Sequence, residues 1–137
     1  FFFADLTSSV AGVDTLYVAD DRTTANGGGI AKFSLVGGSW VLNNIYAGTG
    51  TVGARGLTGV VSGSYVALCA TSTEASATRL ISITYTSGYN GTLSGTATTV
   101  ATATTNTVFR GVAPAPLAGK NPVASISVSP LQVSVRP

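Results

Sequence analysis

The chain repeats itself at a spacing of about fifty residues, and that repeat limits what it can fold into. Leu16-Tyr17-Val18-Ala19 lies fifty positions before Val66-Ala67-Leu68-Cys69, and Ile30-Ala31-Lys32-Phe33 lies fifty before Leu80-Ile81-Ser82-Ile83. Ile45 precedes Val100 by fifty-five, and Arg55-Gly56-Leu57 precedes Arg110-Gly111-Val112 by the same interval. Each matched run is short and apolar or β-branched, and Gly, Ser, Thr or Asn follow it, which is the pattern of strand and turn. In the second copy the runs fall at 57–61, 65–70, 79–85 and 98–103; in the first, at 1–4, 16–19, 30–35 and 40–45. The repeat predicts an all-β chain of two four-stranded antiparallel sheets and the opening of a third unit. One such unit cannot bury both of its faces alone, so the copies are expected to stack. No segment keeps a 3.6-residue period and β-branched residues are dense, so no helix is expected.

The expected divisions are unit one at 1–54, unit two at 55–108, the start of a third unit with a Pro-rich linker at 109–122, and an extension strand at 123–137. Leu16 and Val18 alternate with Tyr17 and Ala19, which predicts a strand covered on both faces. Pro130 keeps the final segment out of a central position in any sheet.

Composition narrows the function classes. Only 9% of residues are charged while 45% are hydrophobic. The surface must then be built from Ser, Thr, Asn and backbone, which repels its own copies weakly and favours self-association. The seven basic residues are scattered singly, so no stripe exists to follow a phosphate backbone and nucleic acid is not an expected partner. No run approaches membrane-spanning length. His is absent, the acids are dispersed and Cys69 has no partner, so an enzyme is the poorest reading. Cys69 sits in an alternating strand and reads as a small buried hydrophobe. The absence of Met predicts a processed product or part of a longer one. Together with the low charge and abundant Thr it predicts an extracellular or cell-surface protein.

Few residues suggest chemistry. Asp20, Asp21 and Asn26 are candidate oxygen ligands for Ca²⁺. Their spacing fits no EF-hand loop, and adjacent aspartates on a strand point to opposite faces. The competing reading is turn hydrogen bonding with an ion pair to Arg22, and no cofactor is otherwise expected. Glu74 is a lone acid whose expected partner is Arg79, and Asp5 and Asp14 form no pair for acid–base work. Gly27-Gly28-Gly29 lacks the Lys and the helix of a phosphate loop. Arg55 and Arg110 stand at equivalent positions before Gly, which predicts a structural or assembly role. Trp40, Tyr46, Tyr65, Tyr85 and Tyr89 would make a carbohydrate-stacking platform only if the fold gathered them; core and rim packing is the competing expectation. Asn90-Gly91-Thr92 is an acceptor sequence for glycosylation.

Three stretches carry a family likeness: residues 14–22 from Asp14-Thr15-Leu16-Tyr17, then Arg55-Gly56-Leu57-Thr58-Gly59, then residues 109–116 from Phe109-Arg110-Gly111-Val112. They resemble bacterial secreted and cell-surface β-propeller repeats, over about residues 1–116. The resemblance implies propeller-blade-like sheets and carries no chemistry of its own. Residues 121–130 are similar to the opening strand of Ig-like or Calx-β-type modules. A propeller needs at least four blades, and this chain offers just over two.

The expected function is therefore structural. Copies would join head-to-tail into an extracellular fibre or homopolymer, each donating a strand that completes its neighbour's sheet. The donor residues would be Val123, Ile126, Val128, Leu131, Val133 and Val135, which alternate beyond a proline-rich hinge. The alternative is a binding or spacer module of a larger secreted or surface protein.

Overall fold

The computed structural model describes residues 1–115. Eight strands form in two sheets, joined by turns and one short 3₁₀ turn at Thr24–Asn26. Sheet 1 holds β1 (Phe2–Ala4), β2 (Thr15–Asp20), β3 (Gly29–Val36) and β4 (Ser39–Tyr46); sheet 2 holds β5 (Ala54–Ser62), β6 (Tyr65–Ser72), β7 (Arg79–Tyr85) and β8 (Thr98–Thr102). Within each sheet the strands lie in chain order, every neighbour antiparallel. At β3–β4 and β5–β6 this order follows from two-residue connections, which can only return a strand beside the one before it. The β3–β4 hairpin shows the chemistry: Gly37 and Gly38 both have positive φ, +59° and +82°, as a two-residue turn matched to strand twist requires.

The sheets pack face to face, with β1 and β2 over β5. Leu57, Val66, Leu68, Ala70, Ile81, Ile83 and Tyr85 of sheet 2 meet Ala4, Tyr17, Ile30 and Tyr46 of sheet 1 in one buried cluster. Gly59 is part of this fit. A Cβ there would lie 2.6 Å from the Phe2 ring and 2.8 Å from a Leu68 methyl. The missing side chain lets Phe2 reach over β5 and stack on Tyr17, ring centroids 5.9 Å apart.

The two copies of the repeat stack in the same sense. Leu16 and Val18 correspond to Val66 and Leu68, and Tyr17 corresponds to Ala67. In sheet 2, Val66 and Leu68 are buried and Ala67 faces away; in sheet 1, Tyr17 is buried while Leu16 and Val18 face away. The front of sheet 2 therefore meets the back of sheet 1. Strand β2 is covered on one face only, contrary to the alternation-based expectation.

The propeller-blade-like description is corrected by the architecture. Both sheets are open and neither curls or closes, and two sheets supply no ring. The expected third unit at 109–122 shows no strand over residues 109–115. That segment instead runs back over sheet 2. Gly111 lies against Gly56, where a Cβ would come within 3.0 Å of the Gly111 Cα. Residues 112–115 then lie over Thr58, Val60, Ala67, Cys69 and Leu80, lining with them an open pocket of about 300 Å³. The extension strand, with Val123, Ile126, Val128, Leu131, Val133 and Val135, lies outside the described residues.

Candidate functional site

The side of sheet 1 that faces away from sheet 2 is apolar from edge to edge. Cross-strand partners share a face, and the register aligns Phe3, Leu16, Phe33 and Leu42 in one row across all four strands. Flanking rows pair Leu35 with Trp40, and Val18 with Ala31 and Ile45. A bulge builds this surface. The register shifts between Lys32 and Phe33, so Leu42 pairs with Phe33 but Asn44 pairs with Lys32. Asn43 is the extra residue. Past it the parity of β4 reverses, which sends Ile45 outward with Leu42 and Trp40 and turns Asn44 and Tyr46 inward. Phe3 is 42% exposed, Trp40 40%, Leu42 48% and Ile45 39%. Phe1, Phe3 and Trp40 form an aromatic group with centroids 5.5 Å and 5.9 Å apart, in which Phe3 of edge strand β1 and Trp40 of the opposite edge strand β4 meet across the face.

The opposite face of sheet 1 is mixed. Thr15, Tyr17, Ile30, Lys32 and Ser34 point toward sheet 2, and all are fully buried. Lys32 is held by residues 86–97, the connection between β7 and β8. Its Nζ donates to the carbonyls of Gly88 at 2.5 Å and Gly91 at 2.7 Å, and lies 5.3 Å from the centre of the Tyr85 ring. Burial pulls the amine down to about 8, against the opposing influence of the Asp14 carboxylate. Tyr17 and Tyr85 share a hydroxyl–hydroxyl hydrogen bond. Burial pushes Tyr17 up to about 12 and raises Tyr85 as well. The same connection fastens to sheet 1 elsewhere: the Tyr89 hydroxyl donates to the Leu35 carbonyl at 2.7 Å, and Asn44 exchanges two hydrogen bonds with the backbone of Leu93, at 2.9 and 2.8 Å. Asp14 pins residues 5–13, accepting from the amides of Leu6 and Thr7 and from the Thr15 hydroxyl, each within about 3.1 Å.

The residues singled out from sequence do not converge. Asp20 accepts a charge-assisted pair from Arg22, Nη2 to Oδ2 2.7 Å, whose hydrogen bonds hold its carboxyl down to about 2. Asp21 lies 3.7 Å from Arg55 and Asn26 donates to Thr23 Oγ1 at 2.8 Å. Among the described residues no three His, Cys, Asp or Glu side chains group as a metal site. Arg55 is exposed in the β5 bulge, and Arg110 is exposed in the irregular segment beyond β8. Glu74 pairs with Arg79 at 2.7 Å. The aromatics are not gathered: Tyr46 and Tyr85 are buried in the core, Trp40 is on the outer face of sheet 1, and Tyr65 is exposed on sheet 2. Cys69 is half-buried on the outer face of sheet 2. Asn90, the glycosylation acceptor, is exposed and accepts a 3.0 Å hydrogen bond from Asn43.

Sequence reasoning missed Lys32, Asp14 and the outer face of sheet 1. The signal for that face was the alternation itself, in which Ala31, Phe33 and Leu35 are more apolar than Ile30, Lys32 and Ser34. Alternation names two faces and leaves open which one the core takes.

Comparison of the chain with protein-family models, curated proteins and solved structures finds no match. The likeness to propeller repeats and to Ig-like or Calx-β modules therefore has no support in homology or in fold. Filament formation also finds no support in the architecture.

Proposed function

We propose that the chain is a binding or spacer module of a larger protein, and that it works through the outer face of sheet 1. One observation carries this reading. Sheet 1 turns its mixed face to the core and its apolar face to solvent, whereas sheet 2 does the reverse at corresponding positions. The row is exposed at its ends, Phe3 and Leu42, and half-buried at Leu16 and Phe33, and exposed apolar surface of this kind marks interaction sites. The sparse charge of the chain suits a docking surface that excludes water over its whole area. An extracellular setting belongs to the same proposal, on the strength of that composition, and fractionation of the intact gene product tests it.

Paired substitutions test the reading. The double variant Leu42→Lys/Ile45→Lys is expected to keep its melting temperature in dilute solution within about 3 °C, because surface changes stay within roughly 0.5 kcal/mol. It is also expected to lose most binding of an environment-sensitive apolar dye. Ile83→Lys, on the buried face of sheet 2, is expected to unfold the chain. Unfolding of the double variant would show that the face serves the fold and not a partner.

A further inference from the structure

We infer that the occupant of this face is the same face of a second copy, giving a two-fold pair closed at two chains. The inference rests on the interaction-module reading above and names its partner. Three features select the second copy and this geometry. First, the central row of Phe3, Leu16, Phe33 and Leu42 carries no charge, and the one lysine of β3 points the other way. The charges nearest this row, Asp20 and its ion partner Arg22, lie at the far end of β2 and neutralise each other, so the row itself does not oppose contact with its own image, whereas an inward-facing or edge charge is the usual guard against such pairing.

Second, the two end faces of the molecule differ in availability. Front-to-back stacking, as between sheets 1 and 2, would require the back of sheet 2 from another copy. Residues 112–115 already lie across that back, over Val60, Ala67 and Leu80. The front of sheet 1 carries no such cover among the described residues. Among the described residues a copy therefore offers its front and not its back, and front against front is a self-complementary contact, which closes at two.

Third, the area is sufficient for a reversible dimer. The four strands, of 3, 6, 8 and 8 residues at a rise of about 3.4 Å and a spacing of about 4.8 Å, give a flat face of roughly 400 Å² per copy. Two such faces bury roughly 800 Å², below the about 1,200 Å² of stable specific interfaces and within the range of weak, transient contacts. Contact of that size, flat and apolar, predicts a weak pair that forms as concentration rises. The Trp40 ring meets Phe3 across the face, so it would be desolvated on pairing.

The test is sedimentation of the full chain over a concentration series, with emission from Trp40, the sole tryptophan. The mass is expected to move from one chain of 13.6 kDa to two and stop there, with a blue shift of Trp40 over the same range. Leu42→Lys is expected to weaken pairing by about tenfold or more, while Val60→Lys, on the back of sheet 2, leaves it unchanged. Growth beyond two chains, or loss of pairing in Val60→Lys but not in Leu42→Lys, would overturn the two-fold geometry. A single-chain mass at every concentration overturns the second copy as occupant. In that case, dye binding that Leu42→Lys abolishes leaves the interaction module standing with a different partner. Dye binding indifferent to Leu42→Lys removes both readings.

Discussion

Lys32 is the residue whose placement runs most against its chemistry. It is fully buried, and its position gives it two carbonyls and an aromatic face in place of water. Desolvation of the ammonium is only partly offset by those contacts, and its affinity for a proton falls to about 8. An unfolded lysine titrates near 10.4, so between these values the unfolded chain binds more protons than the folded one. Stability must then rise with pH across that window. Tyr17 and Tyr85 act in the opposite sense at higher pH. Their folded values are raised, so the unfolded tyrosines lose protons first above about 10, and stability falls. The melting temperature is expected to climb from pH 7 to about 9.5 and decline beyond about 10.5. Lys32→Met should flatten the climb and leave the decline. A melting temperature that falls steadily from pH 7 in the wild-type chain would contradict this account of Lys32.

At the scale of elements, one missing side chain sets how closely β1 and β5 approach. Phe2 occupies the space over Gly59, and both Phe2 and Leu68 lie too close for any added atom. Gly59→Val is expected to displace Phe2 from Tyr17 and destabilise the chain by about 1–3 kcal/mol through overpacking. Phe2→Ala in the same background should recover part of that loss, which a thermal melt of the double variant would reveal; no recovery would place the strain elsewhere. The strands themselves were legible in the sequence. The runs at 65–70 and 79–85 became β6 and β7 almost unchanged, because alternation bounded by turn residues is a local signal. The bulges were not legible. The shift beside Lys32 depends on pairing between strands, and without it Ile45 would point inward. The facing of sheet 1 was hidden for a similar reason. Burial of Lys32 and Ser34 is tolerable only because residues 86–97 and Asn43 supply their hydrogen-bond partners, and those partners are remote or sit at the bulge.

For the whole molecule, the repeat suggests two independent units, but the core denies them independence. Neither sheet has a buried cluster of its own. The apolar residues of sheet 2 are covered by Tyr17, Ile30 and Tyr46 of sheet 1, and the long connection of sheet 2 is hydrogen-bonded to β3 and β4. Removing sheet 1 would expose Val66, Leu68, Ile81 and Ile83 together, and each loses about 1.5–3 kcal/mol when its burial is lost. A lone four-stranded sheet with one stripped face cannot offset the chain entropy of its own ordering. The two sheets are therefore expected to unfold in one transition. Trp40 reports on sheet 1 alone, since sheet 2 carries no tryptophan. Far-ultraviolet circular dichroism reports on both. In urea the two signals should trace the same curve, with the same midpoint and slope. Ile83→Ala, which opens a cavity in sheet 2, should lower the Trp40 midpoint by the full amount seen by circular dichroism, for a loss of about 2–5 kcal/mol. A Trp40 midpoint that stays in place while the dichroism midpoint falls would mean that sheet 1 stands without sheet 2, and that the shared core is not what holds the molecule together.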